Sequence, residues 1–417
     1  MSENIELYSH PSAMEPLFPE DPSGVLEGLS IKLIEESSKL SSSVHEISGS
    51  AIADFLRPMN SYYSNLIEGH DTHPIDIEKA LKGDYSEEKM KSDFQKEAYA
   101  HIKVHKYICG KIKAEEDNKI EPCSKNFLKL IHGKFYDYLP KSFLTVISEE
   151  GEEKQVKPGE FREGEVKVGR HIAPAQIHLE SFMDRFEAFY SPTSNENKKK
   201  IRRIISIAAS HHRLAWIHPF LDGNGRVVRL FSDASFMYEN LDGGGLWSIS
   251  RGLARNNDRY KELLAIADMK RQGDYDGRGN LSNKSLIEFS KFFLETAIDQ
   301  VEYMMSILET DKIVDRLEAL TDLLVIKKGI KPESKYVLID LFLKGKISKS
   351  DVMRITNTSD KTAKIITDTL ESMDLLITVT EKGKKTYYLP KYPINFSPSI
   401  FPGLYPSSKE IDLLKSN

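Results

Sequence analysis

The chain is poor in cysteine, has no strong excess of one charge sign and lacks a long apolar run. Two cysteines in 417 residues are too few for a disulfide framework or a cysteine-rich zinc site, so we expect a reducing, cytoplasmic setting. Lys and Arg number 58 against 63 Asp and Glu, and a formal charge of −5 excludes coating of nucleic acid through bulk positive charge. No segment reaches the roughly 18 apolar residues of a membrane-spanning helix. The N-terminus also lacks the pattern of a secretory signal, so we expect no membrane partner.

Apolar residues recur at intervals of three and four over most of the chain, which predicts a mainly α fold. Residues 144–172 differ, because valines alternate with charged residues between several glycines, and this pattern predicts short strands and a hairpin. Residues 1–25 are expected to be extended, and Pro58 is expected to break or start a helix. We divide the chain into a helical N-terminal region, a core, a helical connector, a small C-terminal domain and an irregular tail, with bounds 1–115, 116–300, 301–334, 335–392 and 393–417.

The most informative segment is HPFLDGNGRVVR, residues 218–229, which lies between two strongly helical patterns. A loop that leads into a helix exposes unpaired backbone N–H groups and the positive end of the helix dipole, and together they bind anions. Glycines let the backbone approach a ligand closely, and two arginines three residues apart lie on one side of the first helical turn, where they suit phosphate oxygens. The segment therefore predicts a phosphate-binding loop that consists of Gly223, Asn224, Gly225, Arg226 and Arg229.

Two further residues of this segment suit chemistry on a bound nucleotide. Asp222 provides a carboxylate beside the phosphates, which is the type of ligand that Mg²⁺ prefers. His218 lies four residues earlier, and a neutral imidazole there can take the proton of an incoming hydroxyl while the α-phosphorus is attacked. A plain turn between two helices, with the histidine as a packing residue, would need only the glycines. The coincidence of all these residue types at useful offsets favours a nucleotide site.

HPFLDGNGRVVR resembles the signature of Fic-domain proteins, which transfer AMP from ATP to protein hydroxyls, and the preceding HHRLAWI is similar to the family's usual surroundings. The resemblance extends over more than half of the chain. It implies that His218 is the catalytic base, that Asp222 binds Mg²⁺, that residues 223–226 bind phosphate and that Arg229 binds the γ-phosphate. Relatives that phosphorylate have a lysine in place of Gly225, so the glycine of this chain implies AMP transfer.

A second segment, SNLIEG at residues 64–69, resembles the inhibitory pattern of the same family. We predict a short inhibitory helix over 60–69 that ends at Gly69. The resemblance implies that Glu68 lies within the nucleotide site, pairs with Arg229 and keeps this arginine from the γ-phosphate, while its negative charge repels the triphosphate. An ordinary helix end with a solvated glutamate is the plain alternative for this segment taken alone.

Two other regions resemble parts of Fic proteins that adjoin the nucleotide. VKVGRHIAP, residues 166–174, is similar to the β-hairpin flap, which binds the target peptide as an added strand and closes over the nucleotide. A plain surface hairpin is the alternative. Tyr260 and Asp268 are similar to nucleotide-proximal positions, so Tyr260 is a candidate for contact with the nucleoside, with a core role as its alternative. The nucleotide contacts expected from the flap are Val168, Gly169, Arg170 and His171.

Residues 335–390 predict three helices followed by two strands, an order that resembles a winged helix. The segment carries ten Lys and Arg residues against seven Asp and Glu residues, which is a modest positive excess. Many winged helices bind proteins instead of DNA, so DNA stays an open partner of this module.

These patterns predict an autoinhibited protein adenylyltransferase that uses ATP and Mg²⁺ and releases pyrophosphate. Its acceptors would be Ser, Thr or Tyr hydroxyls of an unidentified target protein and of the chain itself. Two alternatives stay open, namely a Fic enzyme that removes AMP, for which Glu68 would be required, and a winged-helix DNA-binding regulator whose Fic core only senses nucleotide. The resemblance also implies self-association, with a homodimer as the expected assembly.

Overall fold

The computed structural model describes residues 8–112, 120–147, 151–168, 171–381 and 385–415. Up to residue 217 the described residues form helices joined by loops and two short antiparallel strand pairs. The strands are β1 (Thr145–Ile147) paired with β2 (Glu153–Gln155), and β3 (Lys167–Val168) paired with β4 (His171–Ile172). The helices are α1 (Val25–Ser42), α2 (Glu46–Ile67), α3 (Pro74–Leu81), α4 (Lys89–Ile112), α5 (Lys125–Asp137), α6 (Leu179–Tyr190) and α7 (Lys200–Ile217).

The second half of the chain continues this helical architecture and adds one small antiparallel sheet. The sheet has the order β5-β7-β6 and contains β5 (Ile347–Ser348), β6 (Leu376–Glu381) and β7 (Lys385–Pro390). The helices are α8 (Asn224–Tyr238), α9 (Ile249–Arg255), α10 (Asn257–Ala267), α11 (Asn283–Ile307), α12 (Thr310–Lys328), α13 (Ser334–Lys344), α14 (Lys349–Thr356), α15 (Asp360–Ser372), α16 (Ser397–Ile400) and α17 (Ser407–Lys415). The mainly helical fold with a small β-hairpin, which the sequence predicts, is confirmed.

Serine side chains fix where several of the helices begin. The hydroxyls of Ser124, Ser282 and Ser359 accept hydrogen bonds from backbone N–H groups in the first turns of α5, α11 and α15. Ser348 and Asp351 form a reciprocal capping box at the start of α14. Such caps satisfy backbone donors that have no partner within the helix, and each contributes about 1 kcal/mol.

The α7–α8 pair lies between two hydrophobic cores and thereby fixes the loop that joins the two helices. On one side, Trp216 and Phe231 pack with apolar residues of α5 and α6. On the other, Ile204 and Phe236 pack with the apolar faces of α1, α2, α9 and α11. Because both helices are held from two sides, residues 218–223 have little freedom to shift relative to the rest of the site.

The expectation for Pro58 is wrong, and so is the expected short helix over 60–69. Pro58 lies inside α2, which runs unbroken from Glu46 to Ile67. An interior proline costs about 3 kcal/mol because it removes one backbone hydrogen bond and crowds the preceding turn. The apolar face of α2 stays buried on both sides of it, at Phe55 and Tyr62 among others, and this packing outweighs the cost.

The two ends of the chain are more ordered than the sequence predicts. Pro11–Met14 form a 3-10 turn, and Met14 and Leu17 are buried, so this part of the expected extended region packs into a core. The tail expected to be irregular contains α16 and α17, and it buries Phe401 and Leu404 against the second core. Proline content signals the loss of regular structure, but it does not report burial. The described residues contain no helix long and apolar enough to cross a membrane.

The segment expected to form a winged helix has the element order α13, β5, α14, α15, β6, β7. Its α13 and β7 pack against α2, and the Ser48 hydroxyl donates to the backbone carbonyl oxygens of Leu341 and Phe342 at the end of α13, at 3.1 and 2.7 Å. The helix that carries the predicted inhibitory glutamate is therefore in direct contact with the C-terminal part of the chain. Assignment of this segment as a winged helix stays a prediction.

Candidate active site

The loop between α7 and α8 has the backbone geometry of an anion site. His218 ends α7 in the left-handed region with a φ of 51°, and Gly223 precedes α8 with a φ of 77°. These two reversals turn the chain so that α8 begins at Asn224, within the glycine-rich segment. A left-handed conformation is unfavourable for a histidine, and such strained residues concentrate at functional sites. The first backbone N–H groups of α8 have no partner within the helix and can bind an anion.

His218 is placed as an uncharged base. Its side chain is partly buried at the end of α7. Burial lowers the pKa of His218 to about 4, and the nearby His171 acts in the same direction. The imidazole is therefore neutral near pH 7 and able to accept a proton.

Asp222 is oriented by two aromatic residues of α5. The Tyr136 hydroxyl donates to its carboxylate at 2.8 Å. His132 accepts the Gly159 N–H at Nδ1, so its Nε2 carries the proton and donates to the Asp222 backbone carbonyl oxygen at 3.3 Å. The Asp222 side chain remains 41% exposed, which leaves the carboxylate accessible from solvent. No pattern in the sequence indicates these two aromatic partners, because both lie about 90 residues from Asp222 along the chain.

One carboxylate of this kind fits a magnesium ion that is carried by nucleotide phosphates. Mg²⁺ commonly binds one or two carboxylates together with phosphates and water. Among the residues that the structure describes, no group of three His, Cys, Asp or Glu side chains could hold a metal ion. Asp222 is thus suited to a metal that arrives with its nucleotide, and it does not form part of a protein-only cage.

Arg226 is buried and already paired. Its Nη1 donates to Glu97 of α4 at 2.7 Å, and its Nη2 lies 3.7 Å from Asp222. The guanidinium group also stacks over the ring of Phe135, 4.8 Å from its centroid. Burial acts to raise the pKa of Glu97, but the hydrogen bond from His70 and the charge of Arg226 outweigh burial and lower it. Glu97 is therefore an ionised partner of Arg226, which is a predicted phosphate-binding residue. No pattern in the sequence indicates Glu97.

Arg229 is paired with the predicted inhibitory glutamate. Its Nη2 donates to Glu68 Oε1 at 2.6 Å and to the Ser64 carbonyl oxygen at 3.0 Å, and its Nε donates to the Ser64 hydroxyl at 3.0 Å. The arginine side chain is 2% exposed. Burial acts to raise the pKa of Glu68, but the adjacent Arg229 guanidinium outweighs this effect and lowers it, so the pair is ionised.

Glycines allow the close approach of Glu68 from both sides of the contact. A Cβ at position 225 would lie 2.3 Å from Glu68 Oε1, which only a glycine avoids. Gly69 has a φ of 87°, and the N–H groups of Gly69 and His70 bond to the carbonyl oxygens of Leu66 and Asn65. This is a Schellman motif, which ends α2 and leaves Glu68 as the capping residue directly after Ile67. The prediction that Gly69 ends the helix is confirmed.

Asn224 organises the loop through its side chain. Its Oδ1 accepts the Phe220 N–H at 2.9 Å, and its Nδ2 donates to the Phe220 carbonyl oxygen at 2.8 Å. The amide group thus closes the loop through its oxygen and one of its two N–H groups. The place of Asn224 in a phosphate-binding loop stays a prediction.

The flap residues are partly outside the described structure. Gly169 and Arg170 lie outside the described residues, and Val168 is the last described residue of β3, paired in register with His171 of β4. His171 Nε2 donates to the Trp216 carbonyl oxygen at 2.7 Å, and its Nδ1 lies 3.5 Å from Asp268. The hairpin is therefore tied to the end of α7, two residues before His218.

Tyr260 is buried in the core beside the site. It is 4% exposed, and its hydroxyl lies 2.8 Å from Nε2 of His211. The Ser232 hydroxyl donates to a backbone carbonyl oxygen, so His211 Nδ1 carries the proton and Nε2 accepts from Tyr260. This burial favours the core role given above as the alternative, and the contact of Tyr260 with a nucleoside stays a prediction.

Arg162 joins the loop at His218 to the predicted flap, and no pattern in the sequence indicates this role. Its side chain is buried and donates to the carbonyl oxygens of His218, Gly164 and Pro174, at 2.9, 2.7 and 2.5 Å. Its backbone N–H donates to the Pro219 carbonyl oxygen at 2.9 Å. One guanidinium group thus bonds to the backbone on both sides of the hairpin and at the predicted base.

We expect Arg162→Gln to lower the free energy of unfolding by about 2–4 kcal/mol, because several buried carbonyl oxygens lose their donor. Trp216 lies two residues from His218, so a urea titration followed by tryptophan fluorescence reports this region. Arg259→Gln is the matched control, since Arg259 forms an exposed pair with Glu262, and its effect should stay below about 1 kcal/mol. Equal urea midpoints for the two variants would contradict this role of Arg162.

The arrangement thus combines a helix N-terminus, two buried arginines and a neutral histidine. Residues 122–235 match the family model described as the Fic/DOC family. The matched range includes His218, Asp222 and both arginines and excludes Glu68, which comes to the site from the helical region before it.

Individual relatives match this chain over a short region. The protein adenylyltransferase Fic sequences of Drosophila sechellia and Drosophila melanogaster are each 38% identical to it over 82 residues, which is 20% of this chain and 16% of the relative. The match thus covers less than one fifth of these curated relatives.

Solved structures are similar to the chain over a larger extent. A Fic family protein from Desulfovibrio desulfuricans G20 has a TM-score of 0.51 at 14% identity and covers 90% of this chain and 98% of its own. Residues 134–508 of Fic-1 from C. elegans have a TM-score of 0.50 at 14% identity and cover 69% of this chain and 74% of their own. These likenesses establish the fold.

Proposed function

We propose that this chain is an autoinhibited protein adenylyltransferase, which transfers AMP from ATP to a protein hydroxyl group and releases pyrophosphate. The single observation that carries the proposal is the ion pair between Glu68 and Arg229 of α8. It lies next to the loop that contains a neutral His218. The relatives named protein adenylyltransferase support the choice of reaction.

The residues of the loop have distinct parts in this reaction. His218 accepts the proton of a Ser, Thr or Tyr hydroxyl, whose oxygen forms a bond to the α-phosphorus as the bond to the β-phosphate oxygen breaks. Backbone N–H groups at the start of α8, together with Arg226 and Arg229, bind the phosphate oxygens and stabilise the charge that develops on them. Asp222 would hold Mg²⁺, which when bound neutralises phosphate charge.

Inhibition follows from the pairing of both arginines. Glu68 occupies the Arg229 donor that the γ-phosphate would need, and its charge repels a triphosphate. Glu97 occupies Arg226 in the same way. ATP would then bind weakly or with its α-phosphorus misplaced, and basal transfer would be slow.

Removal of AMP from a modified protein is the second candidate, and one feature of Glu68 favours it. The carboxylate is ionised, lies beside the backbone of the phosphate loop and remains 34% exposed. It could therefore accept a proton from a water molecule that attacks a bound phosphodiester. In that reaction Glu68 is required, whereas in transfer it inhibits.

For the C-terminal part we propose a winged-helix module over 335–392 that binds a protein. The exposed side of α15 presents Lys361 and Lys364 beside Asp368, with Ile365 45% exposed among them. Lys349, at the start of α14, is paired with Asp360 at 2.6 Å. Mixed charges around an apolar side chain support a protein surface more than a phosphate backbone as the partner.

The proposed function is tested by measuring which phosphate of ATP, the α-phosphate or the γ-phosphate, stays on the protein. The protein is incubated with magnesium and with ATP radiolabelled at the α-phosphate or, in parallel, at the γ-phosphate, and label retained on the denatured chain is measured. Transfer of AMP predicts retention of the α-label alone, together with release of pyrophosphate. Retention of the γ-label would show phosphorylation instead, and absence of both labels from the Glu68→Gly variant would overturn the proposal.

A further inference from the structure

The six residues that follow α2 connect the phosphate-binding arginines to the C-terminal end of the chain. We call residues 68–73 the inhibitory turn. Glu68 binds Arg229 directly. His70 lies 2.5 Å from the carboxylate of Glu97, which in turn binds Arg226, and the His70 ring stacks on Phe94 at 4.4 Å. The inhibitory turn therefore binds Arg229 directly, and it contacts the Glu97 carboxylate of α4 that binds Arg226.

The other side chains of the inhibitory turn face the C-terminal helix α17. Asp71 pairs with Lys409 at 3.1 Å, and His73 lies 3.8 Å from Asp412. Residues 68 and 70 of the inhibitory turn thus contact the nucleotide site, whereas residues 71 and 73 contact α17. A shift of α17 would act on the same short backbone segment that carries Glu68, the partner of Arg229.

Residues 392–405, which precede α17, pack along the last turns of α2. The Tyr63 hydroxyl donates to the Leu404 carbonyl oxygen at 2.7 Å, and the rings of Tyr62 and Tyr405 meet edge to face at 5.5 Å. Two turns earlier in α2, Phe55 stacks on Phe401 at 5.3 Å. The C-terminal segment therefore supports α2 and the inhibitory turn together.

The contacts differ in strength in a way that suits reversible release. Phe401 and Leu404 are at most 1% exposed and anchor the segment firmly. The contacts between α17 and the inhibitory turn are partly exposed, with Asp71 at 50% and Asp412 at 57%. Exposed contacts of this kind contribute little and are screened by salt. By contrast, α17 is held to residues 392–405, because Leu413 is buried and Glu410 accepts the backbone N–H groups of Gly403 and Tyr405. The weakest contact is therefore the one between α17 and the inhibitory turn.

We propose that α17 is a regulatory element that holds the inhibitory turn against the nucleotide site, and that its displacement frees Arg229 for ATP. The proposal rests on the proposed function, because it takes this arginine as a phosphate ligand. The displacing signal acts on the C-terminal segment, far along the chain from the catalytic loop, and competes for the face of α17 that carries Lys409 and Asp412.

The test is a charge reversal at the exposed pair. Lys409→Glu places a carboxylate opposite Asp71, and we expect it to raise the affinity for MgATP about 3- to 10-fold, as loss of an exposed pair plus like-charge repulsion allows. The Asp71→Lys, Lys409→Glu double variant restores an opposite-charge pair and should return the affinity to that of the wild type. Lys415→Glu, an exposed change on the same helix, is the matched control and should leave the affinity unchanged. Affinities are measured by calorimetric titration of the full chain with MgATP.

Glu68→Gly in the same titration separates the two proposals. If α17 acts through Glu68, adding Lys409→Glu to Glu68→Gly brings no further gain, which supports the coupling. A gain with Glu68→Gly alone, and none with Lys409→Glu, would overturn the role of α17 and leave the proposed function intact. No gain with Glu68→Gly would overturn autoinhibition by Glu68 and the role of α17 with it.

Discussion

Replacing Glu68 with glycine is expected to raise the affinity for MgATP about 10- to 100-fold. The variant removes the carboxylate that occupies Arg229, and a hydrogen bond between charged groups contributes about 1.5–3 kcal/mol. It also removes a negative charge from the place where the γ-phosphate would bind. The backbone tolerates the change, because position 68 caps the C-terminus of α2 and has an ordinary φ of −80°. Calorimetric titration with MgATP measures the affinity, and retention of α-label on the chain should rise in parallel.

Two further variants identify the cause of this gain. Glu68→Gln keeps the size of the side chain and removes its charge, so we expect an affinity between those of the wild type and Glu68→Gly. Glu262→Gln removes a carboxylate from an exposed pair on α10 and should have no effect. If Glu68→Gly bound MgATP no better than the wild type, the ion pair with Arg229 would not be the barrier to binding. If it abolished removal of AMP from a modified chain, the reverse reaction would become the main activity.

Local signals in the sequence were sufficient for the loop and for the end of α2. The glycines of 218–225 mark a turn because only that residue type adopts its backbone cheaply, and the flanking apolar periodicity marks α7 and α8. Gly69 marks the end of a helix for the same reason. Phosphate sites at helix N-termini depend on neighbouring residues, so a single segment encodes most of the site.

Contacts between distant segments could not be predicted in this way. Glu97 lies 129 residues before Arg226, and Arg162 lies 56 residues before His218. Neither residue stands in a pattern that distinguishes it from an ordinary surface charge. Their burial follows from how α4 and the flap region pack around the loop, and that packing is a property of the whole fold.

For the C-terminal segment, a local signal in the sequence led to a wrong prediction. Its prolines and short helices suggest irregular structure, but Phe401 and Leu404 enter the core beside α2. Pro58 led to a wrong helix boundary for the same reason. An interior proline is unfavourable, but packing of the helix on both sides of Pro58 compensates for its cost. Local propensity describes the isolated segment, whereas the observed state also includes the free energy of tertiary contacts.

We expect His218→Asn, introduced into Glu68→Gly, to lower the rate of AMP transfer about 100- to 10,000-fold, which is the usual contribution of a general base. Asparagine is the informative replacement because it tolerates the left-handed conformation that His218 adopts, with its φ of 51°, and so preserves the loop. The rate is measured as α-label retained on the chain with time, under saturating MgATP. MgATP affinity should change little, since His218 is not among the phosphate ligands.

The reason for so large a loss is the protonation state of the histidine. Burial lowers the pKa of His218 to about 4, so nearly every molecule holds it as a neutral base near pH 7, and no other group in the loop combines neutrality with a free nitrogen. His178→Ala, at a partly buried histidine beyond the flap, controls for loss of an imidazole elsewhere and should transfer normally. If His218→Asn kept the rate while binding MgATP equally well, the proton of the acceptor would leave by another route. His218 would then be a residue that shapes the loop, and the proposed mechanism would fail at its first step.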